Sequence, residues 1–404
     1  MRVAFLANKF FDPSRPGSWS GLPFFIRRAL EDAGVETDVI GCEDSRRAAC
    51  WMQFFYWRLM HRKRYLRYCH EGLLQGYARQ IQRRLALHPR VDAVFSVSTW
   101  LLAFLQTELP TVLYTDACFS AMVGFYESFS NLAPCSIFEG HQAEQMALNR
   151  CSRIIYSTHW AARTAQEYYD VDPAKIRVVF YGGGLHDPPE LEDISKLIRA
   201  RDLTSCHLLL VGVDWHRKGA DIAVHAAETL QTRGCNARLT IVGCRPPRPV
   251  RLPPFVEVIP FIDKGREEGR RQLHEIYKRS HFFILPSRAE ASGVVFSEAA
   301  AYGLPALAAD VGGISSVIIN GVNGRLFSPA ANGREYADYI LSVTTDPGRY
   351  RALASRSLKE AATRLSWKVS GPKMAEILSE LVAARADANP AANANFGTEP
   401  LRKS

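Results

Sequence analysis

The amino-acid sequence predicts an α/β protein built from two doubly wound parallel-sheet domains that face each other across a cleft. Three observations carry this. At 404 residues the chain is too long for one ordinary hydrophobic core. Short apolar runs alternate with segments of helical period in two separate series, the mark of parallel sheets covered on both faces. Between the series the pattern breaks at Tyr181-Gly-Gly-Gly-Leu-His-Asp-Pro-Pro189, a glycine- and proline-rich connector.

The first series opens with a strand at Arg2 to Ala7, a helix at Leu22 to Ala33 and a strand at Thr37 to Ile40. Further strands are expected at Ala93 to Val97, Thr111 to Tyr114, Arg153 to Ser157 and Arg177 to Phe180, with helices at Glu139 to Asn149 and Ala161 to Tyr169. The second series reads as strand His207 to Val211, helix Ala220 to Thr232, and strands Arg238 to Val242 and Val256 to Ile259. It continues as helix Glu267 to Arg279, strand His281 to Leu285, helix Val294 to Tyr302 and strand Ala306 to Ala309. Helices follow at Arg334 to Thr344 and Ala352 to Thr363. The expected units are 1–183, 184–366, a helix at 367–386 that crosses back to the first domain, and a disordered tail at 387–404 that is poor in large apolar residues.

Hydrophobic residues at 47% and charged residues at 23% are globular values. The segment Arg2 to Ala7 is apolar but short and leads into Asn8, Lys9 and Asp12, so it reads as a buried strand and not as a signal peptide. No apolar run reaches the roughly 18 residues of a membrane-spanning helix. The nine cysteines form no C-x-x-C pair and no zinc-ligand spacing, which suits a reducing cytoplasm and predicts no metal site. A net charge of +9 fits nucleic acid, anionic lipid or a phosphorylated substrate, and charge alone does not choose among them.

Chemistry concentrates in Phe282-Phe-Ile-Leu-Pro-Ser-Arg-Ala-Glu290-Ala-Ser-Gly293-Val-Val-Phe-Ser-Glu298. A buried strand ends at Pro286, a loop carries Glu290, and a helix opens at Gly293 and Val294 with Glu298 in its second turn. A helix amino terminus offers free N–H groups and partial positive charge to an anion such as a diphosphate. Glu298 can accept paired hydrogen bonds from vicinal hydroxyls such as those of a ribose, while Glu290 reaches beyond the phosphates. The alternative is two solvated charges on a surface helix. A second segment, Leu208-Leu-Leu-Val-Gly212-Val-Asp-Trp-His-Arg217-Lys218-Gly219, places Arg217 and Lys218 at the start of a helix, where cations are poor partners for the helix dipole. An anionic ligand in the cleft supplies a reason for them.

Glu290 and Glu298, with Gly303-Leu-Pro305, Gly312-Gly-Ile and Asn320-Gly-Val-Asn-Gly324, resemble the E-x7-E signature of retaining family-4 glycosyltransferases, most fully over residues 207–327. The resemblance implies the GT-B fold, with two Rossmann-like domains, and transfer of a sugar from a nucleotide-diphosphate sugar. That sugar nucleotide is the co-substrate and no other cofactor is implied. Lys218 matches the family lysine that neutralises the leaving diphosphate; the family arginine falls on Val213, so either the adjacent Arg217 substitutes for it or the phosphate site is weaker. Gly21, before the first helix, resembles the glycine that lets its loop approach the donor; the alternative is a plain turn. At the end of the strand Thr111 to Tyr114, Asp116 stands where the family commonly has a histidine; it either contacts a sugar hydroxyl or the acceptor, or caps a helix. The implied catalytic residues are Lys218, Glu290 and Asp116. The implied donor-binding residues are Gly21, Arg217, Gly219, Gly293, Val294 and Glu298.

The resemblance further implies front-face attack, with the leaving phosphate assisting deprotonation of the acceptor and closure about the 182–190 connector excluding water. The one D-x-D, Asp170-Val-Asp172, falls at a strand amino end and reads as a turn and not a metal triplet. His141 and His159 read as packed or surface histidines. The rival classes are a sugar-nucleotide-binding or regulatory protein without transfer activity, for which Val213, Asp116 and Ser292 are the warning signs, and an epimerase or phosphorylase on the same fold.

The stretch from Trp51 to Arg84 mixes Arg58, Arg62, Lys63, Arg64 and Arg67 with Phe54, Trp57, Tyr65 and Tyr68. Either these aromatics pack on the sheet and leave the cations solvated, or part of the stretch is a basic amphipathic surface that rests on anionic lipid at the inner face of the membrane. Nucleic acid is not expected, because no nucleic-acid module accompanies the stretch.

Overall fold

The computed structural model describes residues 1–43 and 48–388. Among the described residues, twelve strands form two six-stranded, all-parallel sheets. The first contains β1 (Arg2–Ala7), β2 (Glu36–Gly41), β3 (Ala93–Ser96), β4 (Thr111–Thr115), β5 (Arg153–Tyr156) and β6 (Ile176–Val178), in the spatial order β2-β1-β3-β4-β5-β6. The second contains β7 (Ser205–Val211), β8 (Asn236–Val242), β9 (Val256–Ile259), β10 (Phe282–Leu285), β11 (Ala306–Ala309) and β12 (Gly324–Phe327), in the order β12-β11-β10-β7-β8-β9. Central strands such as β3, β4, β10 and β11 are buried at every residue, whereas the edge strands β2, β9 and β12 keep exposed positions. Helices on both faces explain the near-continuous apolar runs of the central strands.

The strand order reverses beside β1 in the first sheet and beside β7 in the second, and at such a switch point the loops leaving two adjacent strands part to opposite faces and open a crevice. In the second sheet the adjacent strands are β7 and β10, paired through Leu208 with Phe282 and Leu209 with Phe283. The loop after β7 carries Lys218 and the loop after β10 carries Glu290. Residues far apart in sequence are thereby delivered to one crevice.

The helix Trp367–Ala388 packs on the first sheet: Met374, Ile377, Leu378 and Leu381 share one buried cluster with Val3, Phe5, Ile26 and Leu30. Two hydrogen bonds tie its start to the connector, Trp367 Nε1 to the Gly183 carbonyl at 2.8 Å and Ser370 Oγ to the Phe180 carbonyl at 2.6 Å. The helix runs two residues past its expected end, and the expected tail from 389 onward lies outside the described residues.

Among the elements without a counterpart in the sequence reading are a helix and a strand. Leu191–Ala200 is helical directly behind the connector prolines, burying Ile194 and Ile198, and β12 is a short edge strand. The basic aromatic stretch resolves into a helix at Ala48–Met60 and another at Glu71–Leu85. Tyr65 is buried and Phe54, Trp57 and Tyr68 are half-buried, yet Trp51, Met52, Phe55, Tyr56, Leu59 and Met60 are all exposed. Neither expected pattern holds cleanly: the helix packs by one side and turns an apolar face outward. No helix among the described residues is long and apolar enough to cross a membrane.

Candidate active site

The second sheet builds one wall of the crevice. Lys218 is buried and forms an ion pair with Glu290, itself 8% exposed. The lysine stem runs over Gly212, where a Cβ would lie 2.7 Å from Lys218 Cγ, so only glycine there leaves room for the lysine to be buried. Arg217 adds a second cation: its Nη1 lies 3.7 Å from the same Glu290 oxygen and donates to the Ala289 carbonyl at 3.2 Å. The two loops are cross-linked, since Arg288 N–H donates to the Arg217 carbonyl at 2.7 Å and the Arg288 guanidinium pairs with both oxygens of Asp221 at 2.9 and 2.7 Å. The cations that lacked a reason in sequence therefore have an internal partner, Glu290. An ammonium has three N–H donors, which leaves Lys218 free to serve an anion as well.

Gly219 caps the helix Ala220–Thr232, and Gly293 caps the helix Val294–Ala301. Gly293 has φ +71°, and a Cβ there would lie 2.7 Å from the Phe296 ring and 3.2 Å from Glu290 Cγ. A side chain would strain the backbone and displace the neighbouring carboxylate. Val294 is half-buried and packs on the core of the first sheet, as does the wholly enclosed Ala291, so the Glu290 loop is pinned between the two halves.

Glu298 has no exposed surface. One oxygen accepts from Lys264 Nζ at 2.6 Å and from the Gly184 N–H of the connector at 3.1 Å; the other accepts from the Tyr277 hydroxyl at 2.8 Å. In sequence Glu298 was expected as an open acceptor for vicinal hydroxyls. It is instead occupied by three internal donors.

The first sheet supplies the opposite wall. Asp116, in the loop after β4, is half-buried and close enough to Glu290 to feel its charge. Burial first, and the charge of Glu290 second, push that carboxyl up to about 7, against the lowering effect of a backbone hydrogen bond. Tyr126 bridges the halves: its hydroxyl accepts from the Ala291 N–H at 2.8 Å, and the Arg217 guanidinium lies 5.8 Å from its ring centre. Burial and the charges of Glu290 and Asp116 raise its phenol well above the ordinary value. Asp116, Glu290, Lys218 and Arg217 thus form one electrostatic cluster. Gly21 ends a loop in which Trp19, Ser20 and Gly21 all have positive φ, an arrangement that non-glycine residues adopt only when surrounding structure holds them.

His141 is bonded to the Tyr169 hydroxyl at 2.9 Å, and His159 is exposed. Asp170 and Asp172 lie at the entrance to β6, where Asp172 accepts from the Ala174 N–H at 2.8 Å. Val213 is 72% exposed and makes no part of the cation cluster. The sequence reading missed Lys264, Tyr277 and Tyr126. The signal for Lys264 was its place just beyond the carboxyl end of β9, where strand-end loops face the crevice; Tyr277 and Tyr126 carried none.

Two parallel-sheet halves, a crevice at the switch points and paired glutamates with seven residues between them define a GT-B glycosyltransferase architecture. Residues 193–361 match the glycosyl transferases group 1, and residues 24–182 match glycosyltransferase family 4. Together the two models cover most of the chain, which belongs to the glycosyltransferases they describe. It is 27% identical over 267 residues to the D-inositol 3-phosphate glycosyltransferase of Rhodococcus erythropolis, covering 64% of this chain and 58% of that protein. Its fold is similar to sucrose-phosphate synthase from Thermosynechococcus elongatus (TM-score 0.68, 16% identity, 95% of this chain and 100% of that one). It is also similar to Anabaena HepE in complex with UDP and glucose (TM-score 0.60, 16% identity, 94% and 99%).

Proposed function

We propose that this protein transfers a sugar, with retention of anomeric configuration, from a nucleoside-diphosphate sugar to an acceptor hydroxyl. The observation that carries the reading is the buried Lys218–Glu290 pair, with Arg217 beside it, at the crevice where β7 and β10 diverge. In the reaction the bond from the anomeric carbon to the phosphate oxygen breaks, and its electron pair leaves with the diphosphate. Lys218, Arg217 and the helix end at Gly293 and Val294 oppose that negative charge, a preorganised role suited to an enclosed site. The acceptor oxygen bonds to the same face of the carbon, and its proton passes to a departing phosphate oxygen. Glu290 orients the sugar, Asp116 faces a sugar or acceptor hydroxyl, Glu298 holds the ribose, and Gly21 and Gly219 let backbone approach the donor. No metal or further cofactor enters this scheme.

UDP is the first nucleotide to test, since HepE was solved with it. The test is incubation with UDP-, GDP- and ADP-sugars. Release of the nucleotide with a new glycoside supports transfer, an isomerised sugar nucleotide supports epimerisation, and binding without turnover supports the regulatory alternative.

The acceptor reading is that transfer takes place at an anionic membrane surface on the cytoplasmic side. Its support is the helix Ala48–Met60, which has no acidic residue, exposes Met52, Phe55, Leu59 and Met60, and is followed by Arg62, Lys63 and Arg64. Co-sedimentation with vesicles tests it. Binding should require anionic lipid, weaken with salt, and fall when Phe55, Leu59 and Met60 are changed to Ser. Equal recovery in the supernatant with neutral and anionic vesicles at low salt would point to a water-soluble acceptor such as a phosphorylated polyol.

A further inference from the structure

Glu298 is already served by three donors, and a carboxylate offers about four acceptor positions. Vicinal ribose hydroxyls bring two more O–H groups. One donor in place must therefore leave when a ribose arrives. The Gly184 N–H belongs to the backbone of the connector. Tyr277 is fully buried, with its ring stacked on Tyr302 at 4.8 Å between centroids. Lys264 differs from both: a third of its side chain is exposed, its ammonium ends a flexible four-carbon stem, and it lines an open cleft of about 370 Å3 with Gly184, His186, Asp187, Glu267 and Arg270.

We propose that Lys264 is an internal stand-in for the ribose, holding Glu298 while the site is empty and yielding its place to the hydroxyls when a nucleotide binds, so that it sets how strongly the site distinguishes ribose from a sugar lacking those hydroxyls. The inference rests on the assignment of Glu298 to the ribose. An ammonium keeps a buried carboxylate from standing uncompensated, which an empty pocket otherwise leaves it. On release it enters a cleft that is also lined by Glu267 and by Asp187, the latter already paired with Arg270 at 3.8 Å. Because the Lys264–Glu298 contact is broken on binding, the net gain from each ribose hydroxyl is smaller than the gross hydrogen bond.

The experiment compares the affinities of UDP and 2′,3′-dideoxy-UDP by calorimetry at pH 8.5 for the parent, Lys264→Met, Lys264→Gln and Lys264→Arg. The ratio of the two affinities should rise about tenfold in Lys264→Met, where no ammonium has to be displaced. It should rise less in Lys264→Gln, whose amide keeps a weaker donor at Glu298 and guards against loss of folding in the Met variant, and should stay at the parent value in Lys264→Arg. An unchanged or smaller ratio in both neutral variants overturns the proposal. Glu298→Gln separates the two layers of the argument: the ratio should fall toward one. If it stays at the parent value, the ribose assignment of Glu298 has failed, whatever Lys264 does.

Discussion

Replacing Lys218 by Met removes the cation at the centre of the site and leaves the aliphatic stem in place. Both partners of its ion pair are buried, at 9% and 10% side-chain exposure. Breaking a buried pair by removing one partner costs about 3–5 kcal/mol when nothing else compensates the survivor. Here Arg217 Nη1 stands 3.7 Å from the same Glu290 oxygen and is a quarter exposed, so it can turn fully onto the carboxylate. The expected loss is accordingly about 1–3 kcal/mol, or some 2–4 °C of Tm per kcal/mol for domains of this size. Turnover should fall by more than stability explains: removal of a preorganised electrostatic stabiliser costs on the order of a hundredfold or more. The double variant Lys218→Met with Glu290→Gln distinguishes the two effects, because neutralising the orphaned carboxylate should restore most of the stability and none of the rate. The assays are urea unfolding and release of the nucleotide from its sugar donor. A Lys218→Met protein that turns over within a few-fold of the parent would refute the electrostatic role.

Asp116, with its carboxyl at about 7, binds a proton in the folded state that the unfolded chain releases near pH 4. Its contribution to stability is therefore present below that unfolded value and is lost as pH rises through about 7. Asp116→Asn should gain on the parent between pH 5.5 and 8 in urea unfolding, and should remove a titration near neutrality from kcat/KM. Gly293→Ala forces a side chain onto a left-handed backbone beside Phe296, at about 1–2 kcal/mol of stability, and should raise KM for the donor more than it lowers kcat. Chelation with EDTA should leave the rate at its parent value, and a lost rate restored by added metal would overturn the metal-free scheme.

Much of the fold could be read in sequence because parallel strands buried on both faces leave unbroken apolar runs, as at Phe282 to Leu285 and Ala306 to Ala309. What escaped lacked that signal. The strand β12 is the edge segment Gly-Arg-Leu-Phe, with one glycine and one exposed arginine, and Leu191–Ala200 hid behind Pro188 and Pro189. The outward apolar face of Ala48–Met60 was invisible because the helix is apolar nearly all round, and only packing decides which side is covered. At the site, the spacing of Glu290 and Glu298 pointed to the helix that carries them, but not to their partners. Lys218 and Glu290 meet across 72 positions because β7 and β10 are neighbours in the second sheet, and Lys264, beyond the edge strand β9, reaches Glu298 across 34. That pairing turned an expected open carboxylate into an occupied one.

Glu298 is where donor binding can be tested without knowing the acceptor. Calorimetric titration of UDP into the parent and into Glu298→Ala should show affinity weakened by roughly 1.5–3 kcal/mol, about 10- to 150-fold in Kd, as expected for loss of hydrogen bonds to a charged group. The same Kd in both proteins, with the variant shown to be folded, would contradict the account.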